Sequence, residues 1–199
     1  DLIYGDAVFT DEGGNPTGKR QIGRPFDFIR TLSYLNCVPQ PGTLWRRGLW
    51  KKAGPLREDL HWSMDSEYWL RMSLHGKFQY IPGDRGTYRR HPDAKTMQDE
   101  PATLAFYKLI DEFLADPETY PEVNKKRRLI ESNRSFQLAK AYRRVEKHQE
   151  ARRYARRALV YSPLRRRWPA IFTFCVDAHL GTNLADGLNA AWNRLKPKR

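Results

Sequence analysis

His61-Trp62-Ser63-Met64-Asp65-Ser66-Glu67-Tyr68-Trp69-Leu70-Arg71-Met72 is the stretch on which the reading of this chain turns. Asp65 and Glu67 stand two residues apart where a helix begins, and Trp69, Leu70 and Met72 continue it as an apolar face. Acids at a helix start are favoured by the positive end of the helix dipole. The ordinary meaning of such a pair is a capping Asp beside a solvated Glu. Here Trp62 precedes the pair and Trp69 follows it. A carboxylate fenced by indoles loses water, and desolvation moves it toward the range useful for proton abstraction. Asp65 is therefore the candidate base, with Glu67 as its companion.

Outward from this helix the chain reads as mixed α/β. Leu2-Ile3-Tyr4 and Ala7-Val8-Phe9 predict one strand interrupted at Gly5-Asp6, or two short ones. Asp11 to Asn15 is a turn, and Lys19 to Pro25 a polar loop. Phe26, Phe28, Ile29, Leu32 and Leu35 recur at helical period. Cys37 to Trp45 is extended, because its prolines forbid a central helix. Arg46 to Ala53 is a short helix closed by Gly54-Pro55, and Asp65 to His75 a helix closed by Gly76. Two strands follow, Lys77 to Pro82 and Gly86 to His91. Beyond Met97 the character changes to helices: Pro101 to Ala115, Lys125 to Val145, Gln149 to Tyr161, and two more between Arg167 and Leu195. The spacing of Ala139, Tyr142, Ala151, Ala155, Ala158 and Leu159 suggests one tetratricopeptide-like helical hairpin. Two domains are expected, 1–97 and a helical extension over 98–199.

The charge is divided as sharply as the pattern. The 199 residues carry a formal net charge of +13. From Lys125 onward 20 Lys+Arg face 5 Asp+Glu, a net +15, and everything before it nets −2. A cationic helical appendage fits an anionic surface, either acidic lipid headgroups or nucleic acid, or a solvated face with no partner. Cys37 and Cys175 show no metal or redox spacing and read as free thiols of a reducing compartment. No apolar run is long enough for a membrane helix, and no signal peptide is apparent. A cytoplasmic protein is expected, peripheral at most to the inner membrane face. The chain opens directly on a strand without an initiator Met, which reads as a fragment cut inside a domain.

With these residues in view, the first part resembles the inverting glycosyltransferases of family 2, which have the GT-A fold. Four motifs carry the likeness, in order, over about residues 1–97. Asp1 to Ala7 followed by Asp11-Glu12-Gly13 is similar to the family's DxD-type strand end, with Tyr4 where a first Asp would stand. Gln40-Pro41-Gly42-Thr43-Leu44-Trp45-Arg46-Arg47 followed by Ala53-Gly54-Pro55-Leu56 resembles its acceptor-side segment. Met64 to Arg71 resembles its catalytic-base helix, and Tyr88-Arg89-Arg90-His91 the strand after it.

The resemblance implies the acceptor-side half of a GT-A domain, without the N-terminal nucleotide-binding half, followed by an all-α extension. It implies transfer from a nucleotide-diphosphate sugar to an acceptor hydroxyl with inversion. A carbohydrate or lipid-linked acceptor of cell-surface polysaccharide or glycoconjugate synthesis is implied with it. Asp65 takes the base position. Asp6 and His91 are the implied ligands of a divalent cation, Mg²⁺ or Mn²⁺. Trp62 and Gln40 would wall the substrate pocket, and Arg89, Arg90 and Lys95 would reach phosphate oxygens. No Gln-x-x-Arg-Trp segment of the processive synthases is present, so single or few additions are implied. The competing expectation is a helical scaffold that binds nucleic acid or a protein partner through Arg152, Arg153, Arg156 and Arg157. Nucleic acid is the less favoured partner, because no recognised nucleic-acid motif accompanies those arginines.

Overall fold

The computed structural model describes residues 1–34, 38–91, 99–116 and 120–162, with positions 171 and 174. Cys37, Cys175, Lys95, Met97 and the two helices expected between Arg167 and Leu195 lie outside the described residues, apart from those two positions. The chain divides into two compact units, Asp1–Glu112 and Phe113–Arg199, with the division inside a helix, Asp99–Ala115.

The first unit is mixed α/β, organised around one strand. β1, Leu2–Thr10, runs unbroken through Gly5-Asp6. Along one edge it pairs in parallel with β4, Phe78–Arg89. The two ends of its other edge pair antiparallel with β3, Leu44–Trp45, and with β2, Pro16–Gln21. β2 lies partly in the expected polar loop. Nearly all its side chains are exposed, so no apolar alternation marks it. The turn before it is built by Asp11, whose carboxylate accepts from the Asn15 N–H at 2.8 Å.

β4 unites the two strands expected there. It passes Pro82-Gly83 by bulging: Tyr4 faces Tyr80, but Asp6 faces Asp84 and Ala7 faces Gly86. The bulge folds onto Gly5, where a Cβ would stand 2.7 Å from the Gly83 carbonyl and 2.9 Å from that of Ile81. Only glycine fits there.

Three helices flank the sheet. α1, Phe28–Ser33, is capped by Asp27, which accepts from the Arg30 N–H at 2.6 Å. α2 is Arg47–Ala53 and α3 is Met64–Ser73. The core joins Leu2 and Tyr4 of β1 to Val38, Leu49, Ala53, Tyr68, Trp69 and Met72. Gly76 does not take the left-handed conformation expected of a helix-ending glycine. It permits a close approach instead, since a Cβ there would lie 2.8 Å from Leu49 and 2.9 Å from Asp1. The loop before α3 is pinned by Arg57, which pairs with Asp59 at 2.6 Å and with Glu112 at 2.5 Å. These are exposed pairs that set a path more than they add stability.

In the second unit α5, Pro121–Arg144, and α6, His148–Tyr161, form the expected helical hairpin. α6 turns Ala151, Ala155 and Ala158 toward α5, all fully buried. Small side chains there let the backbones approach, and the Ser132 hydroxyl donates to the Ala158 carbonyl at 2.8 Å. Tyr142 and Tyr154 stack with ring centroids 5.4 Å apart. The helix Asp99–Ala115, here α4, buries Phe106, Tyr107, Leu109 and Ile110 in its first-unit portion.

Candidate active site

α3 turns within a few residues into β4, and the Leu2 N–H donates to the Lys77 carbonyl where β1 and β4 begin together. Asp65 stands in the first turn of α3, at the opposite end of that helix from the connection to β4. The residue before the helix, Ser63, is held at φ 59°, a left-handed conformation that costs a non-glycine residue energy and clusters at functional sites. Asp65 is half-buried, and its carboxylate accepts from the Ser66 N–H at 2.7 Å. Trp62 is half-buried beside it in sequence and meets His61 edge to face at 5.1 Å. Trp69 is buried in the core, within 5.8 Å of Trp45 and 6.0 Å of Tyr68, and its indole N–H has no hydrogen-bond partner among the described residues.

Glu67 has another occupation. It is buried and forms a two-pronged pair with Arg71, at 2.8 Å through Nε and 2.9 Å through Nη2. The same guanidinium donates to the carbonyls of Ala53 and Pro55 and lies 5.0 Å from the Tyr68 ring centroid. The Tyr68 hydroxyl donates to the Gly54 carbonyl at 3.0 Å, and burial pushes this phenol up. The three side chains together close the C-terminal end of α2, whose last carbonyls would otherwise lack donors. Glu67 is thus a structural anion, and the orienting or acceptor contact expected of it is replaced by this clamp. Arg71 was legible as the i+4 partner of Glu67, although its reach to α2 was not.

Asp6 lies on the inward face of β1 with Tyr4. The Tyr4 hydroxyl donates to the Arg24 carbonyl. Asp6 Oδ1 accepts from the Tyr80 hydroxyl at 2.7 Å and the Gly23 N–H at 2.8 Å, and Oδ2 from the Gly83 N–H at 3.1 Å. The Tyr80 hydroxyl, with the two N–H groups, holds this carboxyl below its ordinary range against the opposing effect of burial. His91 is exposed just past the residues that pair with Thr10, so four strand residues, roughly 13 Å, separate its level from Asp6. The structure does not bring Asp6 and His91 together. Among the described residues no group of three His, Cys, Asp or Glu side chains is placed to hold a metal. In this structure the Asp6 oxygens bind the bulge and the Gly23 loop.

Gln40 is exposed in the turn Pro39–Thr43, and the Pro41-Gly42 backbone lies against Gly86, the partner of Ala7. Sequence reasoning had it in a pocket wall, and the structure sets its loop beside the carboxyl half of the sheet. Arg89 and Arg90 are at the far tip, exposed, with the Arg90 guanidinium 5.0 Å from the Phe9 ring centroid. No protein-family model, curated protein or solved structure matches this chain.

The geometry around Asp6 sets an acid-sensitivity. A carboxyl held low in the fold stabilises it fully above its unfolded pKa of about 3.9, and that contribution is lost as pH falls through the folded value. Asp6→Ala removes the acceptor of three donors, two of β4 and one of the Gly23 loop, and is expected to cost about 3 kcal/mol at neutral pH. The check is the urea midpoint by tryptophan fluorescence against pH, with the gap between wild type and variant narrowing below pH of about 4.

Proposed function

We propose that this chain carries the acceptor-side part of an inverting, family 2-like glycosyltransferase, with Asp65 as the base that takes the proton of the acceptor hydroxyl. The observation that carries the reading is the division of labour between two neighbouring carboxylates. Glu67 is buried against Arg71, whereas Asp65 stays partly exposed at the helix start. A general base must reach its substrate, and of the pair Asp65 has the access. The donor would be a nucleotide-diphosphate sugar. The divalent cation implied by that chemistry would have to be held by residues other than the Asp6–His91 pair. Trp62 and the Gln40 loop remain the candidate walls for the acceptor sugar. The testing experiment is transfer from a panel of nucleotide-diphosphate sugars by wild type and Asp65→Asn; turnover unchanged by the substitution sinks the reading.

The helical unit would bring this site to an anionic bilayer carrying a lipid-linked acceptor. The four-arginine stripe expected on α6 is divided. Arg157 pairs with buried Glu131 at 3.1 Å and lies over Tyr161, whereas Arg153 and Arg156 stay exposed. No helix among the described residues is long and apolar enough to cross a membrane. Each cation at an anionic surface contributes about 1 kcal/mol, so the attraction is weak and salt-sensitive. Co-sedimentation with anionic vesicles is expected at low ionic strength and lost at high, with neutral vesicles left behind and Arg153→Gln/Arg156→Gln binding less. Preference for a nucleic-acid competitor would instead favour the scaffold alternative.

A further inference from the structure

A cavity of about 460 Å³ lies at the other end of α3 from Asp65, between that helix and the start of α2. Arg46, Arg47, Lys52 and His75 line it, with Leu49 and Asp1. Three features set it apart from an ordinary patch of surface charge. The basic side chains are drawn from three places, Arg46-Arg47 at the start of α2, Lys52 in its last turn and His75 just beyond α3. None of these four side chains forms an ion pair or hydrogen bond with the described residues, although the rest of this part of the sequence is slightly acidic. The single carboxylate on the wall, Asp1, is already occupied by the Lys77 N–H at 3.0 Å.

Two guanidiniums and an ammonium outnumber the one carboxylate on the wall, so they repel one another, and a further anion relieves that repulsion. Two guanidiniums offer planar forks that match phosphate oxygens, the ammonium a point charge and the imidazole a ring N–H. The volume falls within the range of about 300–1,000 Å³ typical of small-molecule sites. We infer that this cavity is a binding site for a phosphate-bearing ligand, a diphosphate or phosphate ester, separate from the Asp65 end of the helix. The inference does not depend on glycosyl transfer, since it concerns binding at the amino ends of β1 and β4.

The test is titration calorimetry of the intact chain with inorganic pyrophosphate at fixed ionic strength, beside sedimentation with vesicles of phosphatidic acid or phosphatidylcholine. Saturable pyrophosphate binding is expected, weakened about ten-fold or more by Arg47→Gln, the loss of one charge-assisted hydrogen bond. Lys52→Gln should weaken it in the same direction. Lys51→Gln, an exposed neighbour that does not line the cavity, should leave it nearly unchanged. Phosphatidic acid binding that needs Arg47, without pyrophosphate binding, would keep the phosphate site and make a lipid headgroup its source. Equal loss with Lys51→Gln, or no Arg47-dependent binding in either arm, would overturn the inference. Asp65→Asn should not alter pyrophosphate affinity, which keeps this outcome apart from that of the transferase reading.

Discussion

In a catalytically active protein containing this segment, Asp65→Asn is expected to lower turnover about 10²–10⁴-fold with donor affinity unchanged. The asparagine keeps the size of the side chain and an oxygen that can accept from the Ser66 N–H, so the start of α3 should survive. What it removes is the capacity to take a proton. An acceptor hydroxyl ionises far above neutral pH, and without a positioned base it must lose its proton to water as it attacks. The loss should therefore fall on kcat more than on KM. Donor binding measured apart from turnover separates this from a folding defect. A large rise in KM with kcat preserved would reassign Asp65 to acceptor binding.

Glu67 is expected to give the contrary result, a loss of stability ahead of a loss of chemistry. Glu67→Gln leaves the Arg71 guanidinium committed to the Ala53 and Pro55 carbonyls without its counter-charge. Removing one partner of a buried pair costs about 3–5 kcal/mol, and about 3 is expected here because Arg71 keeps 21% of its side chain exposed. The replacement of both, Glu67→Leu with Arg71→Met, should recover part of that loss, since an apolar pair strands no charge. The recovery is incomplete because the carbonyls at the end of α2 lose their donor. Denaturant midpoints followed by tryptophan fluorescence check the series. Trp45 and Trp69, which sit against Tyr68, report on this very clamp. An intact midpoint in Glu67→Gln with abolished turnover would move the base from Asp65 to Glu67.

Why one carboxylate of the pair became a strut and the other did not is a matter of what lies across from each. Period alone places Asp65 and Glu67 on different sides of α3. It cannot say which side meets Gly54-Pro55, because that turn reaches the helix through the packing of α2. Asp6 makes the same point. Its place at a strand interruption beside Gly5 was open to reading as a ligand. The donors that fill it, Gly23, Tyr80 and Gly83, come from as far as 77 residues away. β4 was read as two strands because Pro82-Gly83 looks like a stop. The bulge around Asp6 carries the strand past it, at a place where proline gives no N–H to a ladder.

By itself the sequence determined the local elements and the charge division. α2 and α3 announce themselves by apolar period and by acids at the head of α3, and α5 and α6 by an alanine and tyrosine pattern split at Lys147-His148. These depend on neighbours within a few residues, which sequence contains. Tertiary structure alone decided that β2 exists, that β1 is one strand with both edges filled, and which of three carboxylates stays partly exposed. Each of those outcomes is fixed by hydrogen-bond partners brought in from distant segments. A buried carboxylate keeps its charge only where donors surround it, so the donors that enclose Asp6 and Glu67 leave Asp65 as the more accessible of the three.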